Sequence, residues 1–212
     1  MKKTLISIVL IVSLLSTALF SVVFAAYSVE DSGEVTATVS AFGVQIAVTE
    51  GTDLTLIPGG SGTLIEVEAT GDPTVDATLK YTAEVTVTDW LLDDGTTFYC
   101  PVEFTITKPN TNPETKEEEP SVETTVNGAN YATAAALAEA LEKAITGATE
   151  KTDGKYTYTA DVNATEDSIV DMHDVAVTWA WADGDAEAAA MNGQLESTSA
   201  VQIKINASIV QD

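Results

Sequence analysis

Apolar and polar side chains alternate at every second position through much of this chain. The clearest runs cover residues 35–41, 44–48, 79–87, 156–162, 175–181 and 201–209. Successive side chains of a β-strand point to opposite faces of a sheet, so each run predicts a strand with one dry face and one wet face. Because dry faces must be covered, about eight such strands with polar turns between them pack as two sheets. The sequence therefore predicts an all-β fold, a two-sheet antiparallel β-sandwich.

One segment, residues 131–146, departs from this alternation and is rich in alanine. Leu137, Leu141 and Ile145 stand four residues apart, which places them on one face of a helix. Gly147 follows directly, and glycine commonly ends a helix. We predict one inserted α-helix whose narrow apolar stripe lies across an edge or open end of the sandwich.

Residues 108–123 have a different composition from the predicted strands. They contain three prolines and the acidic run from Glu117 to Glu119. Proline cannot donate to a strand ladder, and a polar, charged segment buries too little apolar surface to order itself. We therefore expect a flexible acidic excursion at the surface.

The start of the chain has the composition of an export signal. Lys2 and Lys3 precede an apolar stretch over residues 5–24, and the small residues Ala25 and Ala26 follow it. A positive start, an apolar centre and a small-residue cleavage site are typical of a signal peptide, so we expect cleavage after Ala25. The alternative is an uncleaved anchor, because about 20 apolar residues are enough to span a bilayer.

Both interpretations place the rest of the chain outside the cytoplasmic membrane, because the positive end stays inside. We expect a secreted protein of the extracellular matrix or cell surface, with membrane contact only through the leader before cleavage. The expected organisation is a signal peptide at 1–25, an N-terminal strand segment at 26–42 and a sandwich domain at 43–212.

The chain is strongly acidic. It has nine lysines and no arginine against 33 aspartates and glutamates, and its formal charge of −24 becomes −26 without the two leader lysines. Nucleic acids and anionic lipid surfaces attract basic proteins, so the composition argues against both as partners. The simplest consequence of the charge is solubility, and loose association with divalent cations is the alternative.

Cys100 and His173 are single residues of their types. Cys100 cannot form an intrachain disulfide, and it is in phase with Val102 and Ile106, which predicts a buried position. A zinc hydrolase needs about three ligands, most often with histidine among them, and a nearby base. His173 is in phase with the apolar positions of the strand at 175–181, so we expect a packed residue and no catalytic site.

Asp183, Asp185 and Glu187 bring three carboxylates together just after that strand. Carboxylate oxygens bind Ca²⁺, but the spacing lacks the pattern of a twelve-residue calcium loop. Asp185 is equally suited to cap a short helical turn at 186–191, with Glu187 near its positive end. These three residues are weak calcium candidates, and we expect no other metal and no cofactor.

The N-terminal strand segment is the one part that an isolated sandwich does not explain. Its apolar face consists of Val35, Ala37 and Val39, directly downstream of the cleavage site. Such a strand can pair at the edge of its own sheet or at the open edge of a neighbouring molecule, where main-chain hydrogen bonds supply the affinity. Pairing repeated head to tail between molecules produces a filament.

Three stretches resemble the TasA and camelysin family of secreted proteins. They are SAFGVQIAVTEG at 40–51, LIPGGSGTL at 56–64 and VTWAWADGDAEAAAMNGQ at 177–194. The resemblance implies a jelly-roll fold, export through a dedicated signal peptidase and a structural role in extracellular biofilm fibres. It also implies polymerisation by donor-strand exchange of the mature N-terminus, with Val35, Ala37 and Val39 as the self-assembly residues.

The sequence departs from the family in two respects. The start AYSVEDSGEV lacks the aromatic-rich opening of some members, which leaves the boundaries of the donor strand open. Camelysin also gives the family a label as metalloproteases. A chain whose one histidine is His173 does not support that activity.

We therefore expect a structural fibre subunit whose main partner is a second copy of itself, with other matrix or cell-surface proteins as further partners. The alternative is a monomeric cell-surface or adhesion module, with residues 26–41 paired inside their own chain. A camelysin-like metal-dependent peptidase is the least favoured interpretation.

The substitution His173→Ala separates the structural interpretation from the catalytic one. For a fibre subunit we expect secretion and assembly to stay nearly unchanged, because a strand-end imidazole contributes packing alone. A peptidase would lose nearly all turnover, since a metal ligand or general base would be gone. The measurement is casein cleavage with and without chelator, and chelator-sensitive cleavage that disappears in the variant would contradict the structural interpretation.

Overall fold

The computed structural model describes residues 25–26, 36–41, 43–50, 56–71, 74–111, 118–162, 174–181, 191–192, 195 and 199–211. These residues form two antiparallel sheets, with one α-helix and a 3-10 turn. The predicted all-β two-sheet sandwich is confirmed.

Each sheet contains strands that are distant in the sequence. The five-stranded sheet has the spatial order β1 (Ala25–Ala26), β11 (Ala200–Gln211), β5 (Ala77–Thr88), β9 (Lys155–Val162) and β8 (Lys151–Thr152). The six-stranded sheet has the order β2 (Thr36–Ala41), β3 (Val44–Glu50), β4 (Ser61–Gly71), β10 (Val175–Ala180), β6 (Glu103–Thr111) and β7 (Glu118–Asn127). Strands β5 and β11 pair along all of their residues and form the centre of the five-stranded sheet.

The core lies between the two sheets, where every second residue of the central strands is buried. The buried side chains include Val44, Ile46, Val67, Leu79, Tyr81, Phe104, Ile106, Val177, Trp179, Ile205 and Ile209. The rings of Tyr81 and Tyr158 stack across β5 and β9 with centroids 4.6 Å apart. At one end of the sandwich, the indole N–H of Trp90 donates to the Ala200 carbonyl at 3.0 Å. The dry faces that the alternation predicts are therefore the faces that meet.

Helix α1 (Ala134–Thr146) begins three residues later than the sequence suggests. Thr133 is extended, and its hydroxyl oxygen accepts a hydrogen bond from the Ala136 N–H at 3.2 Å, so it caps the helix. Gly147 ends the helix with φ 68°, the left-handed conformation that glycine adopts readily. Within the part of the chain that the structure describes, no helix is long and apolar enough to cross a membrane.

The helix lies along one edge of β5, as its apolar stripe predicts. Strand β9 pairs with β5 only from Ala77 to Thr82, and beyond that point β5 faces the helix. There the backbone N–H of Val85 donates to the Glu142 carboxylate at 3.2 Å. A helical side chain thus takes the hydrogen-bonding place that a neighbouring strand would otherwise fill.

The segment 108–123, predicted as a flexible acidic excursion, consists of strand residues at both of its ends. Residues up to Thr111 belong to β6, and residues from Glu118 belong to β7, which pairs with it. Two prolines, Pro109 and Pro120, are tolerated in these strands for local reasons. Pro109 lies where the register shifts between Lys108 and Asn110, and Pro120 lies in the last strand of its sheet.

Burial predicts the effect of substitutions in β10. Val177 and Trp179 are 0% and 3% exposed. We expect Val177→Ala or Trp179→Ala to lower the free energy of unfolding by roughly 2 to 5 kcal/mol, because each leaves a cavity between the sheets. Ala180→Ser, on the exposed face of the same strand, should change it by less than about 0.5 kcal/mol. Urea unfolding measures all three, and equal small losses would show that the buried face is wrongly assigned.

Candidate assembly edge

Two open sheets end in strands whose outer backbone groups need partners or protection. An unprotected edge pairs readily with another chain, and natural proteins block it with charge, proline or a covering element. The edges of the two sheets are β7 and β2 in the six-stranded sheet, and the β9 and β11 sides of the five-stranded sheet. These edges differ strongly in how they are protected.

The β7 edge carries several features that oppose strand pairing. Its sequence includes Glu118, Glu119 and Glu123, together with Pro120. Repulsion between carboxylates and the missing N–H of proline both disfavour an added strand. These features disfavour strand addition at β7.

The β9 edge is covered. Helix α1 lies beside it, and the short β8 turns back on β9 through Asp153 and Gly154. Lys151 forms an ion pair with Glu139 of the helix at 2.9 Å, and the same carboxylate accepts a hydrogen bond from the Tyr156 hydroxyl at 3.2 Å. These contacts hold the helix and the hairpin together over the edge.

Among the residues that the structure describes, nothing gives the β2 edge either kind of protection. Strand β2 contains no charged residue and no proline, and its six residues pair with β3 from Thr36 opposite Thr49 to Ala41 opposite Val44. No strand among the described residues pairs with its outer side. The acceptor strand β3 is also nearly uncharged, since Glu50 is its one ionisable residue, and burial raises the pKa of that carboxyl group.

The sequence-predicted assembly residues lie at this edge as far as they are described. Ala37 is opposite Val48, and Val39 is opposite Ile46. Val48 and Ile46 are buried, so this register matches the dry face of β3. Val35 lies outside the described residues.

The β11 edge lies next to β2. Beyond its full pairing with β5, β11 pairs among the described residues only with Ala25 and Ala26, opposite Ala207 and Asn206. Contacts between β11 and β2 place the edges of the two sheets on the same side of the sandwich. We call β2 together with the outer side of β11 the assembly edge. The predicted cleavage site between Ala25 and Ala26 therefore also lies at the assembly edge.

Cys100 is buried, as its position in the alternation predicts. Burial raises the pKa of its thiol to about 12, so the nucleophilic thiolate is scarce at neutral pH. Gly128 fits closely against it, because a β-carbon at Gly128 would lie 2.7 Å from the sulfur. This environment suits a packed side chain and gives no support to a nucleophile.

His173 and the calcium candidates Asp183, Asp185 and Glu187 lie outside the described residues. Over the described ranges, no group of three or more His, Cys, Asp or Glu side chains is arranged to hold a metal ion. These expectations therefore stay predictions.

Sequence reasoning missed an acidic groove of about 290 Å³ on the outer face of the six-stranded sheet. Glu66 and Glu68 of β4 line one side, and Thr107, Pro109 and Ser121 of the β6–β7 hairpin line the other. The alternation identifies Glu66 and Glu68 as outward-facing residues. Their position opposite the hairpin depends on long-range strand order, which the alternation does not contain.

No protein-family model matches the sequence, and no curated protein matches it. The class of protein that the strand order and the helix define is a two-sheet antiparallel β-sandwich with a covering helix.

The thiol environment predicts slow alkylation of Cys100. At pH 8 we expect the native protein to react with iodoacetamide at least ~100-fold more slowly than the urea-unfolded chain, because folding raises the thiol pKa and blocks access. The pKa of the Cys100 thiol is about 12 in the folded protein, against an ordinary value of 9.0. The thiol therefore keeps its proton up to a higher pH in the folded state than in the unfolded state. The thiol's contribution to stability is thus complete below pH 9 and is lost as pH rises toward 12.

The control is Cys100→Ala, which should remove this part of the pH dependence. Its effect on stability should be milder than that of Trp179→Ala. Rapid alkylation of the native protein, or a loss of function larger than the loss of stability, would contradict a purely structural role for the thiol.

Proposed function

We propose that this protein is a secreted structural subunit of an extracellular fibre, which polymerises by donor-strand exchange of its mature N-terminus. The observation that carries the proposal is the β2 edge. An uncharged, proline-free strand from the N-terminal segment pairs along the outside of β3, an acceptor with Glu50 as its one ionisable residue. The protected β7 and β9 edges leave this side as the favourable one for strand addition.

The physical basis is that strand exchange replaces one strand pairing with an identical one. When β2 of one copy replaces β2 of another, the acceptor regains the same main-chain hydrogen bonds and the same side-chain register. The free-energy difference between closed and exchanged forms is then small. Concentration and the conformation of the connecting turn decide between them.

The charge of the chain supports assembly through this edge in preference to any other. A formal charge of −26 for the mature chain makes close approach of two copies unfavourable over most of their surface. Strands β2 and β3 carry one ionisable residue between them, Glu50. Assembly should accordingly become easier as salt screens the repulsion between the acidic surfaces.

The cellular context of the proposal comes from the leader and from the resemblance to the TasA and camelysin family. The leader directs the chain out of the cell, and the resemblance supplies a biofilm matrix as the setting. We propose no catalytic activity, no cofactor and no nucleic-acid partner. The proposed partner is the protein itself, with other matrix or cell-surface proteins attached to the fibre.

A second candidate function rests on the pairing seen within a single chain. Residues 36–41 occupy the edge of their own sheet, which a monomeric surface or adhesion module would retain. The two functions differ in whether β2 ever leaves β3 of its own chain.

Removal of the donor strand tests the proposal. A chain that starts at Gly43 should stay folded but remain monomeric in sedimentation velocity, because the acceptor edge of β3 has no strand to receive. The mature chain that starts at Ala26 should form polymers under the same conditions. Polymers of normal size from the truncated chain would contradict the proposal.

Adding back the strand as a peptide supplies the matched control. A peptide of residues 34–41 should bind the truncated chain and raise its melting temperature, since it restores the missing ladder. A peptide of the same composition in scrambled order should leave the melting temperature unchanged. Equal effects of the two peptides would show that β3 is not a specific acceptor.

A further inference from the structure

The lysines of this chain are divided unequally between the two sheets. Those on strands of the five-stranded sheet are Lys80, Lys151, Lys155 and Lys204. Lys143 lies on helix α1, beside the same sheet. The strands of the six-stranded sheet contain one lysine, Lys108, which is half-buried with its Nζ close to Gly147 at the end of the helix. The outer face of the six-stranded sheet therefore presents no lysine among the described residues.

The outer face of β5, β9 and β11 is the exception to the acidic surface of the chain. It has Lys80, Lys155 and Lys204 against two acids, Glu84 and Asp161. We call these three lysines, with the strands that hold them, the lysine face. The ammonium group of Lys155 donates to the Glu84 carboxylate, and this hydrogen bond lowers the pKa of that carboxyl group. The charge of Lys204, opposite Glu84 on β11, lowers that pKa further.

Lys80 is the lysine of this face that is free to bind elsewhere. It lies between the buried residues Leu79 and Tyr81, so its side chain points out of the sandwich. It is opposite Ser208 of β11 and Thr159 of β9, and it forms no ion pair with any residue that the structure describes. Four residues of strand, about 13 Å, separate it from Glu84.

The groove on the outer face of the six-stranded sheet has the opposite charge. Its floor is Ala176 of β10, a small residue opposite Glu66 of β4 on one side and Thr107 of β6 on the other. Glu66 and Glu68 are both exposed, and they stand about 7 Å apart along β4. Asp174 adds a third carboxylate to the lining, and no lysine lines the groove among the described residues.

We infer that the lysine face of one copy docks on the outer face of the six-stranded sheet of a second copy, with the Lys80 ammonium group beside the carboxylates of Glu66 and Glu68. Charge complementarity supports a second copy as the occupant. The formal charge of the mature chain is −26, so two copies repel each other wherever acidic surfaces meet. The lysine face is the described surface on which lysines outnumber acids, and every copy presents both it and the groove.

The two surfaces lie on opposite sides of the sandwich. A copy that docks on one neighbour with its lysine face therefore leaves its own groove open to another copy, which makes the contact heterologous. Both surfaces are sheet faces, and neither includes the assembly edge, so the contact does not depend on strand exchange. Exposed ion pairs each contribute little to binding, so we expect a short-lived contact that is best detected by chemical trapping.

Cross-linking of the unmodified mature chain with a carbodiimide, which joins an amine directly to a carboxylate, tests the contact. We expect peptides in which Lys80 is joined to Glu66 or Glu68. Two sheets pack about 10 Å apart, and these side chains point away from each other, so such a link cannot form within one chain. A mixture of isotope-labelled and unlabelled chains confirms that it joins two copies. Links to the same glutamates from Lys143, an exposed lysine of the helix, should be at least about tenfold rarer.

Reversal of the charges supplies the second test. One variant has Lys80→Glu, and the other has Glu66→Lys with Glu68→Lys. All three positions are exposed, so both variants should unfold at the temperature of the unmodified chain. When they are mixed, positions 80 and 66 or 68 should again be linked, with acid and amine exchanged. The matched control replaces Lys80→Glu by Lys143→Glu, which gives the same net charge, and position 143 should not be linked to the groove.

The outcomes separate this inference from the proposed function. Absence of links from Lys80 to Glu66 or Glu68 in the unmodified chain, or equal linking of positions 80 and 143 in the two mixtures, would overturn the docking of the lysine face. Filaments that form without this link would overturn it too, and would leave the proposed function standing. Links without filaments would support the contact and contradict polymerisation by strand exchange.

Discussion

Two sheets that cover each other with their dry faces still end in exposed strand edges, and this constraint determines the rest of the structure. The protein protects its edges unequally. Acidic residues and Pro120 protect β7, and helix α1 with the β8 turn covers the β9 side. The side that holds β2 and β11 lacks charge and proline along β2. On that side, β1 ends the five-stranded sheet and β2 ends the six-stranded sheet. The central question about this molecule is whether β2 pairs only within its own chain.

Charge and edge protection act together. A strongly acidic chain remains soluble and keeps its copies apart, so uncontrolled aggregation is disfavoured over most of the surface. The same repulsion restricts association to the places where backbone groups and apolar side chains outweigh it. The uncharged strand β2, paired with an acceptor that has Glu50 as its one ionisable residue, meets that requirement. The glutamates of β7 extend the acidic surface on the opposite edge.

Local chemistry predicts the strands and their faces well, but it does not predict their neighbours. Alternation alone identifies the buried face of β10 through Val177 and Trp179. The helix starts at Ala134 because Thr133 caps it, a detail that one threonine in an alanine-rich run signals weakly. Pro109 and Pro120 contribute to the prediction of a flexible excursion, and the structure accommodates them at a register shift and in an edge strand. The position of β2 beside β11 does not follow from any local pattern, because it depends on which distant strands meet.

Negative-stain electron microscopy of the purified mature chain, starting at Ala26, tests the central claim most directly. The account predicts filaments one subunit wide that lengthen with protein concentration and with salt, since screening reduces repulsion between acidic surfaces. Isolated particles of monomer size across the same range of concentration and salt would contradict it and would favour the monomeric surface module.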